Sequence, residues 1–202
     1  MTGRSTGLEP VLAALRAGGV VGVPTDTVYG LACDPAHPLA AAAMDRIYAI
    51  KRRPDEMELS LLAADLAQVE AVAELDLPAR RLAAAFWPGP LSLIVPARRP
   101  RRLAVPRRGD SLSVRVPAHA LLGELLAEIG PLASTSANRH GGPPCGDARC
   151  VRRELGDELD AVLDGGAAAG RGSTIIDLTQ HPPRVLRVGP LSAEQLHPYL
   201  EG

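Results

Sequence analysis

The chain has 202 residues, is 46% apolar, and carries 22 Lys plus Arg against 23 Asp plus Glu, so it can bury one sizeable core and has no global pull toward nucleic acid or anionic membrane. Aromatic residues make up only 2%, too few for a base-stacking platform, and no apolar run approaches the ~20 residues of a membrane span. Residues 1–10 hold no apolar stretch suited to a signal peptide, so the expectation is a soluble cytosolic protein, with no membrane partner, whose Cys33, Cys145 and Cys150 are reduced thiols.

In chain order, Leu8, Val11, Leu12 and Leu15 recur at helical spacing and stop at Gly18-Gly19. A β-branched strand at Val20–Val23 ends at Pro24, which opens a loop over 24–31. The Ala-rich stretch 38–50 predicts a helix ending near Lys51 to Pro54, followed by a strand at 59–62 and helices at 66–74 and 79–86. Pro88-Gly89-Pro90 forces a turn before a strand at 91–95. Six arginines between 98 and 108, interleaved with Pro100 and Pro106, mark an extended basic loop: a solvated surface, or a phosphate or tRNA contact. Strands are expected at 112–116, 132–134, 161–163, 174–178 and 184–186, with a helix at 118–129. Ser192 and Gln195 form a capping-box pattern for a closing helix. Helices and strands intermix throughout, which defines an α/β class with one mixed sheet.

The loops 24–31, 51–54, 134–138 and 170–174 are rich in hydroxyls, guanidiniums and glycine. They offer no evident Ser, His and Asp set, no cysteine with a motif-placed histidine and no paired acids, so nucleophilic and two-carboxylate mechanisms lack support. No histidine pair has the spacing of a zinc site on a helix, and no protein-bound metal is expected. What the loops and strands do offer is Lys51, Arg53, Arg115, Arg187, Thr27, Ser134, Ser136 and Ser173, an inventory suited to anionic ligands. Phosphoryl and nucleotidyl transfer need mainly positioning and charge neutralisation. Gly165 and Gly170 have Walker A spacing, but Arg171-Gly172 replaces its Lys and hydroxyl and a strand follows, which excludes that motif. Thr25, Asp26 and Asn138 also suit ordinary turns, and Tyr29 and Trp87 suit packing. Arg115, flanked by Val114 and Val116, needs a partner: a ligand, the favoured reading, or a buried carboxylate.

Seven segments occur in an order that resembles the YrdC/Sua5 family: 24–31 (PTDTVYGL), 51–54 (KRRP), 87–91 (WPGPL), 113–117 (SVRVP), 134–138 (STSAN), 173–177 (STIID) and 187–189 (RVG). The likeness spans about residues 10–190 and is closest to the short form, one domain over 1–202 without the C-terminal extension of the long form. It implies a twisted mixed parallel/antiparallel sheet flanked by helices. It also implies synthesis of L-threonylcarbamoyladenylate from L-threonine, bicarbonate or CO2, and ATP, with release of pyrophosphate, for N6-threonylcarbamoyl modification of tRNA adenosine 37.

On that resemblance Thr27, Ser134 and Ser173 line a threonine pocket and Arg115 holds the amino acid's carboxylate. Lys51, Arg53, Ser111, Ser136, Asn138 and Arg187 surround ATP, with Lys51 and Arg53 acting on the phosphates. Mg2+ enters on the phosphates, and other tRNA threonylcarbamoylation proteins complete the transfer to tRNA. The sequence departs from the family pattern at Met57, Leu62 and Pro144. Two other readings fit less well: a non-catalytic RNA-binding module using Arg98–Arg108, and a carbamoyl-phosphate-dependent enzyme like the related domain of hydrogenase maturation proteins.

Overall fold

Period-two alternation is the organising pattern of the molecule. A computed structural model describes residues 7–52, 59–98, 103 and 110–200. Its strands are β1 (Val21–Val23), β2 (Gly30–Cys33), β3 (Ser60–Leu62), β4 (Leu91–Pro96), β5 (Ser111–Arg115), β6 (Leu132–Ser136), β7 (Ala161–Val162), β8 (Thr174–Asp177) and β9 (Arg184–Arg187). They form one nine-stranded sheet in the order β7-β1-β2-β6-β3-β5-β4-β8-β9. The pairs β7–β1, β3–β5 and β4–β8 are parallel and the others antiparallel, which makes the sheet mixed.

The helices are α1 (Leu8–Arg16), α2 (Ala40–Lys51), α3 (Leu66–Glu70), α4 (Leu77–Phe86), α5 (Ala120–Ile129), α6 (Ala148–Leu155) and α7 (Ala193–Leu196). Several start on a side-chain cap: Asp65, Asp76, His119 and Asp147 each accept a backbone N–H from the first turn. The expected capping box is present, with Ser192 and Gln195 bonded reciprocally.

Three apolar clusters divide the sheet faces. On β2, Leu31 and Cys33 pack with α2 and α6, while Ala32 points the other way to join Leu62 and Leu132 beneath α1 and α5. The third cluster joins β3, β4, β5 and β8 to α3, α4 and α7. Trp87 packs against it as expected, its indole N–H donating to the Leu91 carbonyl at 2.7 Å.

The structure corrects several boundaries and one chemical expectation. The loop expected over 24–31 ends at Tyr29, because Gly30 and Leu31 pair with β1 and β6. The strand expected to stop at Ser134 runs to Ser136 against β2, and α3 stops at Glu70 rather than 74. Helix α6 had no counterpart in the sequence reading. Cys145 and Cys150, expected as free thiols, are joined in a disulfide across a Cα–Cα distance of 5.5 Å, because Asp147 starts α6 and turns Cys150 back toward Cys145. Cys33 alone keeps the expected free thiol, buried in the sheet. Of the basic loop, Arg98 donates from Nε to the Glu70 carbonyl at 2.8 Å, and the other five arginines lie outside the described residues.

Candidate active site

The sheet face beneath α1 and α5 continues as a cavity of about 460 Å3, and register explains what lines it. Ser60 pairs with Ser134, and Leu62 with Leu132 and Arg115, so these residues share one face. Leu93 pairs with Val114, so the next residues along, Ser92 and Arg115, also share it, and Ser92 pairs onward with Ile175. On β4 and β5 the aliphatic Leu91, Leu93, Leu112 and Val114 therefore go to the core while Ser92 and Arg115 face the cavity, and on β6 Ser134 and Ser136 face it from the same side as Leu132.

Arg115 ends β5 and is only 5% exposed. Its Nε donates to the Gly89 carbonyl at 2.9 Å, one Nη to Thr27 Oγ1 at 2.8 Å, and the other Nη to Asp26 Oδ1 at 2.5 Å. Of the two partners anticipated for this cation, the structure contains the carboxylate: Asp26 forms the ion pair and also accepts the Ala118 N–H at 3.2 Å. Burial pulls the Arg115 guanidinium below its ordinary value, Asp26 opposes the shift and Arg187 adds to it. These three bonds use three of the five N–H donors of a guanidinium, and the group lines the cavity. The loop holding Thr27 is set by Thr25, whose Oγ1 accepts the N–H groups of Thr27 and Val28 and donates to the Val28 carbonyl at 2.7 Å.

Ser134 is 5% exposed, and among the described residues its hydroxyl has no hydrogen-bond partner. Space for it exists because residue 30 is glycine: a Cβ there would lie 2.6 Å from Ser134 Oγ. A buried, unbonded hydroxyl facing a cavity costs free energy unless a ligand or water completes it. Ser173 Oγ lies 2.8 Å from Ser92 Oγ and accepts from Arg187 Nη2 at 3.0 Å, while Arg187 Nε donates to the Ser173 carbonyl at 2.8 Å. Burial also pulls the Arg187 guanidinium down.

The other end of the cavity is built on Lys51, the last residue of α2, 3% exposed. Its Nζ donates to the Ser136 carbonyl at 2.6 Å, the Asn138 carbonyl at 3.0 Å and Asn138 Oδ1 at 2.7 Å. Asn138 is more than a turn residue: Ser136 Oγ donates to its Oδ1 at 2.7 Å and its Nδ2 donates to the Gly142 carbonyl at 2.7 Å, which fixes the rim that carries His140 and Pro144.

The structure thus gathers Thr27, Lys51, Arg115, Ser134, Ser136, Asn138, Ser173 and Arg187 around one cavity. Ser111 shares their face but sits at the far end of β5, outside the lining, and Arg53 and Met57 lie outside the described residues. Leu62 and Pro144, the two departures from the family pattern that are described, both line the cavity. Sequence reasoning missed Ser92 and Ser60, each a single serine among apolar strand residues. It weighed Asp26 only as a turn residue. Among the described residues no carboxylate lines the cavity, and no group of three or more His, Cys, Asp or Glu forms a metal cage.

Fold and site define an α/β protein with a cation- and hydroxyl-lined cleft of the kind that receives anionic small molecules. The chain belongs to the Sua5/YciO/YrdC family, whose model, described as "Telomere recombination", matches residues 13–189. A threonylcarbamoyl-AMP synthase of Stenotrophomonas maltophilia is 43% identical over 162 residues, which cover 78% of this chain and 86% of that one. The crystal structure of Pyrococcus abyssi Sua5 in complex with L-threonine superposes with a TM-score of 0.83 at 35% identity, covering 94% of this chain but only 56% of that longer one. Escherichia coli YciO superposes with a TM-score of 0.81 at 30% identity, covering 92% of this chain and 90% of the other.

Proposed function

We propose that this chain is a threonylcarbamoyl-AMP synthase, joining L-threonine, bicarbonate or CO2, and ATP with release of pyrophosphate. The observation that carries the reading is the pairing of a buried guanidinium, Arg115, with the unbonded Ser134 hydroxyl in one cavity whose far end holds Lys51. Arg115 would orient the threonine carboxylate through its remaining donors, with Thr27, Ser134 and Ser173 around the side chain and amine. The amine captures CO2 as a carbamate, and a carbamate oxygen attacks the α-phosphorus in line with the departing pyrophosphate. Lys51 and Arg53 neutralise that leaving group, while Ser136, Asn138 and Arg187 hold the nucleotide; catalysis is positioning plus electrostatics.

Mg2+ belongs to this scheme as part of the substrate. The described lining offers it no carboxylate, so phosphate oxygens and water are its ligands. In the same reading the chain acts as one domain in the cytoplasm, its labile product passes to other tRNA threonylcarbamoylation proteins, and the arginines of 98–108 provide a weak tRNA contact. No described helix is long and apolar enough to cross a membrane.

Pyrophosphate release tests the reading directly, with each amino acid supplied in turn. Release that requires ATP, bicarbonate and threonine together is the expected result, and turnover indifferent to threonine overturns it. Lys51→Ala and Arg53→Ala should each slow release; wild-type rates in both would remove these residues from the chemistry.

A further inference from the structure

The Cys145–Cys150 disulfide has no part in the chemistry above, yet it sits at the root of the cavity rim. Cys145 is 2% exposed, its N–H donates to the Ala137 carbonyl at 2.9 Å, and its own carbonyl accepts the Tyr29 N–H at 2.9 Å. The next carbonyl, of Gly146, accepts the Ala168 N–H at 2.7 Å. These bonds anchor the segment that carries Asn138, His140 and Pro144 into the cavity. The crosslink joins residues only five apart, and a loop that short adds less to the stability of the whole chain than a long-range crosslink would. Its effect is local, on the rim and the start of α6.

The two sulfurs are chemically unlike. Cys150 is half-buried in the first turn of α6, and Arg153 Nη2 lies 3.8 Å from its Sγ. Asp147 accepts the Cys150 N–H at 2.6 Å and holds it at the start of the helix. Cys145 is shielded by the packing of α2 and α6. Cys150 is the more exposed of the two and has a guanidinium beside it, while Cys145 is enclosed, the arrangement of an attacking cysteine beside a resolving one.

We infer that Cys145 and Cys150 form a reversible redox modification site whose disulfide holds the 138–146 rim against the cavity. It rests on the proposed function only for the identity of the ligand beneath the rim. In oxidation, the Cys150 thiolate attacks a hydroperoxide oxygen, the O–O bond breaks, and the alkoxide leaves and takes a proton. The Cys145 thiol then attacks the resulting sulfenic acid, the S–S bond forms and water leaves, so the two thiols lose two electrons and the peroxide gains them. In reduction, a dithiol attacks the accessible Cys150 sulfur, Cys145 leaves as a thiolate and is protonated, and the second thiol of the reductant closes on the first to release Cys150.

The test uses the full chain treated with dithiothreitol or with tert-butyl hydroperoxide. Thiol alkylation under denaturing conditions should count three thiols after reduction and only Cys33 after oxidation. Hydrogen exchange at the amides of 137–146 and Tyr29 should be roughly tenfold faster in the reduced form, and ATP should bind several-fold more weakly. The Cys145→Ser/Cys150→Ser double variant should match the reduced form under either reagent. Identical rim exchange in the two forms, or no disulfide under hydroperoxide, overturns the inference. Rim exchange that responds while neither form binds ATP supports the redox site and sinks the proposed function instead.

Discussion

A guanidinium that is 5% exposed must keep every partner it has, and Arg115 has assembled a carboxylate, a hydroxyl and a carbonyl from two separate loops. Arg115→Ala strands Asp26, and removing one member of a buried pair costs about 3–5 kcal/mol, so thermal unfolding should move down by at least several degrees. Arg115→Lys keeps the charge but loses the fork. Its threonine KM should rise about tenfold or more with a much smaller loss of melting temperature, and equal effects on both would show that the residue is only structural. Cys33 gives a second prediction at this scale. Burial, with a smaller contribution from Asp34, pushes its thiol up to about 12 from an ordinary 9.0, so the folded chain keeps a proton that the unfolded chain releases. The stability tied to that proton is complete below 9.0 and is lost as pH rises toward about 12. Urea midpoints measured on reduced protein between about pH 8 and pH 10.5 should fall faster for wild type than for Cys33→Ala.

At the scale of elements, β9 delivers Arg187 to Ser173, and Gly189 just beyond it lets the two segments approach. A Cβ at residue 189 would lie 2.3 Å from the Gly172 carbonyl oxygen and 2.6 Å from the Thr174 nitrogen, backbone atoms that cannot swing aside. Gly189→Ala should therefore push β9 off β8 and weaken ATP binding through the displaced guanidinium, which titration calorimetry would read as a loss of about 1–3 kcal/mol. This close approach also shows what the sequence could and could not disclose. The run 187–189 was legible as a motif, but only pairing of β8 with β9 shows why its glycine is required. The strands were legible because alternation is local, and Arg115 was placed through it, whereas Ser134 and Ser136 stood out as part of a hydroxyl-rich segment, 134–138, that matches a family motif. Ser92 was passed over because a single serine in an apolar strand carries no sign of which face it shares until its neighbour across the sheet is known. Helix α6 escaped although Ala148, Val151 and Leu155 fall at helical spacing behind a capping Asp147, because eight residues with three apolar positions make a short and weak periodic signal. The disulfide escaped for a related reason: spacing alone does not say that a helix begins between the two cysteines.

Across the whole molecule, the cavity draws residues from β2 on one side of the sheet centre and from β9 at its edge, with β6, β3, β5, β4 and β8 between them. A ligand there touches strands backed by all three apolar clusters, so its binding energy should appear as stability of the chain as a whole rather than as ordering of one loop. ATP at about a hundred times its dissociation constant contributes roughly 2.7 kcal/mol, and for a chain of this size each kcal/mol raises the melting temperature by about 2–4 °C. Threonine should add a separate increment, because its proposed partners Arg115, Thr27 and Ser134 are not those of ATP. The Arg115→Ala variant divides the two: ATP should still raise its melting temperature by several degrees, while the threonine increment should vanish. Differential scanning calorimetry with each ligand alone and with both checks this. A threonine shift that survives the loss of Arg115 would mean that the amino acid is held elsewhere in the cleft, and an ATP shift that disappears with it would mean that the two ends of the cavity are not independent sites.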